Sequence, residues 1–369
     1  MRLLLWLVAA TATTTDDRRK LSARDRQTTK GILNNDVERM PQRWVFVHIP
    51  KAAGASFMID ARHFLTRKDT MTGSEEKGAF SRTTLRKLEN GGTRAILLRR
   101  PLQLVYSQFL YCKHVLKGKV KDFPGHGQPE AWAGVKEWSK GATKVTAERG
   151  PFWKCYDPRN IQFRFVVGEG SALTNKGVSS KTTVEDASRK LDGEFGFVGF
   201  VELYRESLCL LGWRATKQVP SYCRCGAEGP LFGAKFPPTS TTHREAYDSS
   251  LDNVPASVQA SLKKLVEKDE MLYLHGLFVF ERAVRETGAQ LVCPGKMEGL
   301  WSSALEDACR PSTSQYIREH YNKTCPVVRK SLSQKALDVV SGVVEHAFEV
   351  RNRNDRAMRH LKHVGKKIS

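Results

Sequence analysis

Two short stretches hold the residues whose types and spacing could do chemistry. The first is His48-Ile49-Pro50-Lys51-Ala52-Ala53-Gly54-Ala55-Ser56, where one lysine is followed by five small residues. Small side chains let an anion approach backbone N–H groups, and Lys51 adds a positive charge at the same point. The second is Arg99-Arg100-Pro101 with Ser107 six residues beyond Pro101, again cations and a hydroxyl. Together they suit a phosphate- or sulfate-bearing ligand.

The elements around each stretch supply the positioning. Trp44 to Ile49 is an apolar run with the composition of a buried strand, and Phe57 to Leu65 reads as a helix. Thr93 to Arg99 is a second strand candidate. It runs into a helical stretch, LQLVYSQFLYCKHVL, for which Pro101 suits the first turn. Strand, small-residue loop, helix is the geometry that aims free N–H groups at an anion. A Walker A loop is excluded, because there the lysine follows the glycines, whereas Lys51 precedes Gly54.

The order of the first loop resembles the phosphosulfate loop of carbohydrate sulfotransferases, written H-I-P-K-T-G-G-T-S. His48, Ile49, Pro50, Lys51, Gly54 and Ser56 match; Ala52, Ala53 and Ala55 depart. The second loop is similar to that family's R-D-P-x-x-R-x-x-S, matched at Arg99, Pro101 and Ser107 and altered at Arg100 and Leu104. Asn160, Gln162 and Arg164 match a third segment, N-P-x-N-M-Q-x-R-x-L. The stretch from Phe197 through Leu210 resembles a fourth. The likeness spans residues 43 to 215 in four ordered blocks.

This resemblance implies an α/β fold with a P-loop-like parallel sheet flanked by helices, the sulfotransferase fold, carrying a C-terminal cysteine-containing helical extension. It implies sulfonyl transfer from 3′-phosphoadenosine 5′-phosphosulfate to a hydroxyl of a glycan or polysaccharide acceptor, with no metal. Lys51 would stabilise the leaving phosphate, and the backbone of Ala52, Ala53, Gly54 and Ala55, with Ser56, would cradle the phosphosulfate. Arg99 and Ser107 would hold the 3′-phosphate, and Asn160, Gln162 and Arg164 would support the acceptor cleft. A base must take the acceptor proton. His63, on the helix after the first loop, is the first candidate, followed by His114 and Glu202. Two other readings stay open: a secretory polyanion- or glycan-binding protein without catalysis, and an atypical P-loop kinase.

Bulk properties set the frame. The chain has 369 residues and a net charge of +21, which calls for a polyanionic partner. No nucleic-acid-binding motif stands out, and charge alone does not select among nucleic acid, an anionic membrane surface, a nucleotide and a polysaccharide; it is the resemblance that implies a glycan acceptor and no nucleic acid. Residues 1–15 read as a secretory signal peptide or short signal anchor, which would place the protein in the Golgi or secretory pathway with membrane attachment through the N-terminus. Residues 16–41 read as a polar stem, 42–288 as the sulfotransferase domain and 289–369 as the extension with a basic tail. Eight cysteines suit disulfides in that compartment. Cys209, in an apolar helical pattern, reads instead as a buried free thiol. Asn322-Lys323-Thr324 is a glycosylation sequon. The polar stretch from Gly118 to Gly150, with Trp132 and Trp138, is a candidate acceptor-facing insertion.

Overall fold

The computed structural model describes residues 42–66, 69–73, 77–89, 91–114, 123–143, 155–168, 181–220, 223–225, 250–289, 291–293 and 295–309. The N-terminal segment, the sequon and the basic tail lie outside the described residues.

Four parallel strands form the sheet: β1 (Arg43–Val47), β2 (Thr70–Gly73), β3 (Gly92–Leu98) and β4 (Phe195–Phe200), in the order β2-β1-β3-β4. The expected α/β parallel sheet with flanking helices is therefore present. β1 pairs with both β2 and β3, from Arg43 opposite Thr70 and Gly92. From β1 the chain moves outward to β2, then returns across β1 to β3. The direction reverses between β1 and β3, and in open parallel sheets the crevice at the carboxyl ends of such strands is where ligands sit. The two loops singled out above leave the sheet from those two ends.

The strands are short apolar runs because parallel sheets are covered on both faces. One face carries Trp44, Phe46 and Phe197. Helix α1 (Gly54–Asp60) covers it through Phe57, which stacks on Phe197 with ring centroids 5.7 Å apart and lies 5.2 Å from Phe46. The opposite face carries Leu98 and Phe200, against which a long helix, Glu267–Glu286, packs.

The remaining helices are α2 (Arg82–Leu88), α3 (Pro101–His114), α4 (Val135–Thr143), α5 (Ile161–Val167), α6 (Val184–Glu194), α7 (Tyr204–Thr216), α8 (Ala256–Lys263), α9 (Glu267–Glu286) and α10 (Lys296–Cys309). Tyr273 and Phe280 of α9 meet Phe200 edge-on at 5.0 and 5.6 Å. A Cβ on Gly276 would lie 2.6 Å from Leu98, so the closeness of this helix to the sheet requires glycine. Ser207 of α7 pins that helix to the end of β4, accepting the Phe200 N–H at 2.8 Å and donating to its carbonyl.

Several expectations change here. Cys209 is not a free thiol: it is bonded to Cys223, while Cys225 is bonded to Cys293, so the C-x-C pair is split between two partners. A buried helical sulfur looks the same in sequence whether its partner is a distant cysteine or none. A third bond joins Cys112 to Cys155. Trp138 is fully buried against Phe109, ring centroids 5.4 Å apart, so it is core and offers no face to a sugar. The compact unit also continues past Gly288. Leu291, Trp301 and Ala304 join the core, Trp301 packs 4.5 Å from Phe278, and Lys296 pairs with Glu206. Among the described residues no helix is long and apolar enough to cross a membrane.

Candidate functional site

The loop after β1 is wound tightly. Lys51 and Ala53 both have positive φ, 69° and 55°, a conformation that costs a residue with a side chain roughly 1–3 kcal/mol and persists where the surroundings impose it. Gly54 follows because nothing larger fits. A Cβ there would lie 2.0 Å from the His48 ring, so the histidine just after β1 and the first residue of α1 interlock. Ala53 precedes α1 without any side chain able to cap it, and the N–H groups of Gly54, Ala55 and Ser56 have no backbone acceptor among the described residues. The small residues thus leave donors bare where a Ser or Asp cap would have covered them.

The loop after β3 is tied to the first. The Arg99 guanidinium donates to the Lys51 carbonyl at 2.8 Å, and Gln108 of α3 donates to the Pro50 carbonyl at 3.3 Å. The Arg99 side chain and the backbone of the Lys51 loop, which follow different strands, are thereby held together at the carboxyl edge. Burial, and after it the Arg99 charge, bring the Lys51 amine down from the usual lysine range to about 8. Its Nζ lies 4.6 Å from the centre of the Tyr111 ring. Ser107 is buried on α3, one helical turn before the residues that face Lys51, and makes no hydrogen bond to another described residue.

Behind Arg99 stands a chain of buried polar contacts. The Gln162 side chain accepts the Arg99 N–H and donates to the Arg99 carbonyl, both at 2.9 Å. Gln162 is the second residue of α5, whose first N–H groups are capped from outside: Asp269 accepts from Gln162 at 3.2 Å and from Phe163 at 2.7 Å. Asn160, at φ 44°, returns the favour by accepting the Lys268 and Asp269 N–H groups at 2.8 and 3.3 Å. The two helix N-termini cap each other. Asp269 is fully buried, and burial pushes its carboxyl up to about 7 against the opposing pull of those N–H bonds and of Arg164. Arg164 is buried too, donating to the carbonyls of Arg159 and Asp157.

The structure thus brings Lys51, Ala52, Ala53, Gly54, Ala55, Ser56 and Arg99 to one edge of the sheet, while Ser107 is buried further along α3. Asn160, Gln162 and Arg164 do not line a cleft. Gln162 braces Arg99, Asn160 caps α9, and Arg164 ties down the Arg159 and Asp157 carbonyls. His63 needs correction as the base. It is exposed beyond the far end of α1, nine residues past Gly54, which at 1.5 Å per residue is about 13 Å along the axis. Glu202 is closer to Arg99: it follows β4, accepts the Arg100 N–H at 2.7 Å and the Tyr273 hydroxyl at 3.1 Å, and is raised by burial with the Arg99 charge opposing. His114 shares a face of α3 with Tyr111, three residues on. The sequence reading passed over Tyr111 and Asp269. An aspartate inside the apolar pattern of α9 was the visible sign of the second.

Two surface clefts, of about 620 and 450 Å³, open elsewhere. The larger is lined by Arg94, Glu194 and Gly92 at the amino ends of β3 and β4, opposite the loops. Its mixed charge and its place at the strand starts argue against it as the anion site. Comparison of the chain with protein-family models, curated proteins and solved structures gives no match.

Proposed function

We propose that this protein transfers a sulfonyl group from 3′-phosphoadenosine 5′-phosphosulfate to a hydroxyl of a glycan acceptor, working in the Golgi or secretory pathway. The observation that carries the reading is the joining of two cationic loops, Lys51 to Arg99, at the switch between β1 and β3. A donor with a phosphosulfate at one end and a 3′-phosphate at the other needs two anion sites on one edge. The four sequence blocks that resemble carbohydrate sulfotransferases contribute to both sites and to their bracing.

In the reaction the acceptor oxygen attacks sulfur, the bond from sulfur to the phosphate oxygen breaks, and negative charge builds on that oxygen. Lys51 and the bare N–H groups of Gly54 to Ser56 stabilise it there, as fixed donors do in phosphoryl transfer. Arg99 and Ser107 hold the 3′-phosphate. The acceptor proton goes to His114 or Glu202, the two candidates on the site's side of the fold. The net charge of +21 suits a polyanionic acceptor.

Calorimetric titration with adenosine 3′,5′-bisphosphate tests this directly, beside Lys51→Ala and Arg99→Ala. Micromolar binding, weakened at least tenfold by Arg99→Ala and with no comparable affinity for ADP, is expected. A folded sample that binds sulfated polysaccharide but not the bisphosphate would make the protein a polyanion binder. Preference for ADP with magnesium would make it a kinase.

A further inference from the structure

We propose that Tyr111 is the positioning residue of Lys51: its ring face, backed by Tyr156 and fixed by the Cys112–Cys155 bond, sets where the ammonium stands at the loop mouth. The assignment rests on reading Lys51 as the cation that meets the donor.

A lysine on a four-carbon stem samples many rotamers, and a catalytic ammonium must be in place before the anion arrives. The loop backbone fixes the Lys51 Cα through its positive φ and the Arg99 contact, but neither fixes the amine. Tyr111 does. Its ring lies 4.6 Å from Nζ, and a ring face attracts a cation.

The ring is itself held by a second ring and by a covalent link beside it. Tyr156 stacks on it with centroids 5.7 Å apart and planes inclined by 30°. The next residue along α3, Cys112, is bonded to Cys155, the residue before Tyr156, so the covalent link fastens the two tyrosines side by side. On the far side of Tyr156, the Asp157 carbonyl accepts from the buried Arg164, and the Asp157 carboxylate pairs with Arg159 at 2.8 Å. The third segment of the family likeness therefore reaches the active lysine by two routes, through Gln162 to Arg99 and through Tyr156 to Tyr111.

The groups set against the amine pull in opposite directions. Burial and Arg99 favour the neutral form, and a ring face 4.6 Å away attracts the charged one. Removing the ring therefore makes Lys51 easier to deprotonate.

The test follows acylation of Lys51 by an amine-reactive ester, by peptide mass, across about pH 6 to 11 in the full chain. The native midpoint is expected near 8. Tyr111→Leu should lower it by about half to one unit, a three- to tenfold loss in proton affinity, while Tyr111→Phe, which keeps the face, retains it. If Tyr111→Leu fails to fold, Tyr156→Leu carries the test, with a smaller fall in the same direction. An unchanged midpoint in the leucine variants, or an equal fall in Tyr111→Phe, overturns the proposal. The readout needs no donor. A ring-dependent midpoint without bisphosphate binding would refute the sulfotransferase reading and keep this one; binding with a ring-independent midpoint would do the reverse.

Discussion

The side-chain amide of Gln162 closes on both backbone polar groups of Arg99, accepting one hydrogen bond and donating another, each 2.9 Å long. Residues 63 positions apart are thus joined as adjacent strands would be, just past the end of β3. The direction in which Arg99 leaves the sheet is fixed by this contact.

Gln162→Leu should leave a buried N–H and C=O without partners. The expected cost is about 1–3 kcal/mol per group left unsatisfied, read as a lower urea midpoint at unchanged slope. Affinity for adenosine 3′,5′-bisphosphate should fall with it, and Gln162→Glu, which can accept but not donate when charged, should restore neither.

Asp269 gives stability a pH dependence of definite sign. Its folded value of about 7 lies above the ordinary 3.8, so the native state binds the extra proton between those values. Stability contributed by this group is full below about pH 4 and declines as pH rises through about 7. Asp269→Asn should remove that decline, measured as the difference between the two unfolding free energies across the interval.

Lys51 should make anion binding fade in alkali. With its amine at about 8 in the free protein, the charged fraction falls above that pH, and bisphosphate affinity should fall with it between about pH 8 and 9.5. Lys51→Arg stays charged throughout and should flatten the profile, whatever its affinity at neutral pH. A profile equally steep in both would place the titrating group elsewhere.

Gly54→Ala should cost about 1–3 kcal/mol, because the new methyl meets the His48 ring at 2.0 Å. The double variant with His48→Ala should recover much of this, and a thermal-melt cycle measures the coupling. Additive losses would show that the clash is relieved by moving the loop.

Much of the scaffold was legible because its signals are local. The runs at 44–49, 93–99 and 195–201 are short, apolar and bounded by turns, and each overlaps nearly all of a strand, the first two starting one residue late. The stretch 258–284 resolved into the end of α8 and most of α9. β2 was missed since Thr70–Gly73 is a half-exposed edge with no apolar alternation, and α4 since its glycine and lysines mask a buried face. Around the loops, residue types identified Lys51 and Arg99 as cations at strand ends. Roles that depend on a distant partner were not visible: Gln162 reads as a cleft residue until Arg99 is found against it, Cys209 as a thiol until Cys223 is. His63 was misplaced because helix direction, which a list of nearby residues does not contain, carries it away.

Asn160 and Asp269 cap each other's helices across 109 positions, and this sets an order of events during synthesis. A ribosome that has made residues 43 to 168 has released both anion loops and α5, yet the start of that helix still lacks its acceptor. Only when α9 emerges can Gln162 settle against Arg99. Contacts of such span are slow to form, since the chain between them must be ordered first. Truncation before residue 269 would therefore leave every signature of the loops in the polypeptide while removing the carboxylate that caps α5 behind Arg99.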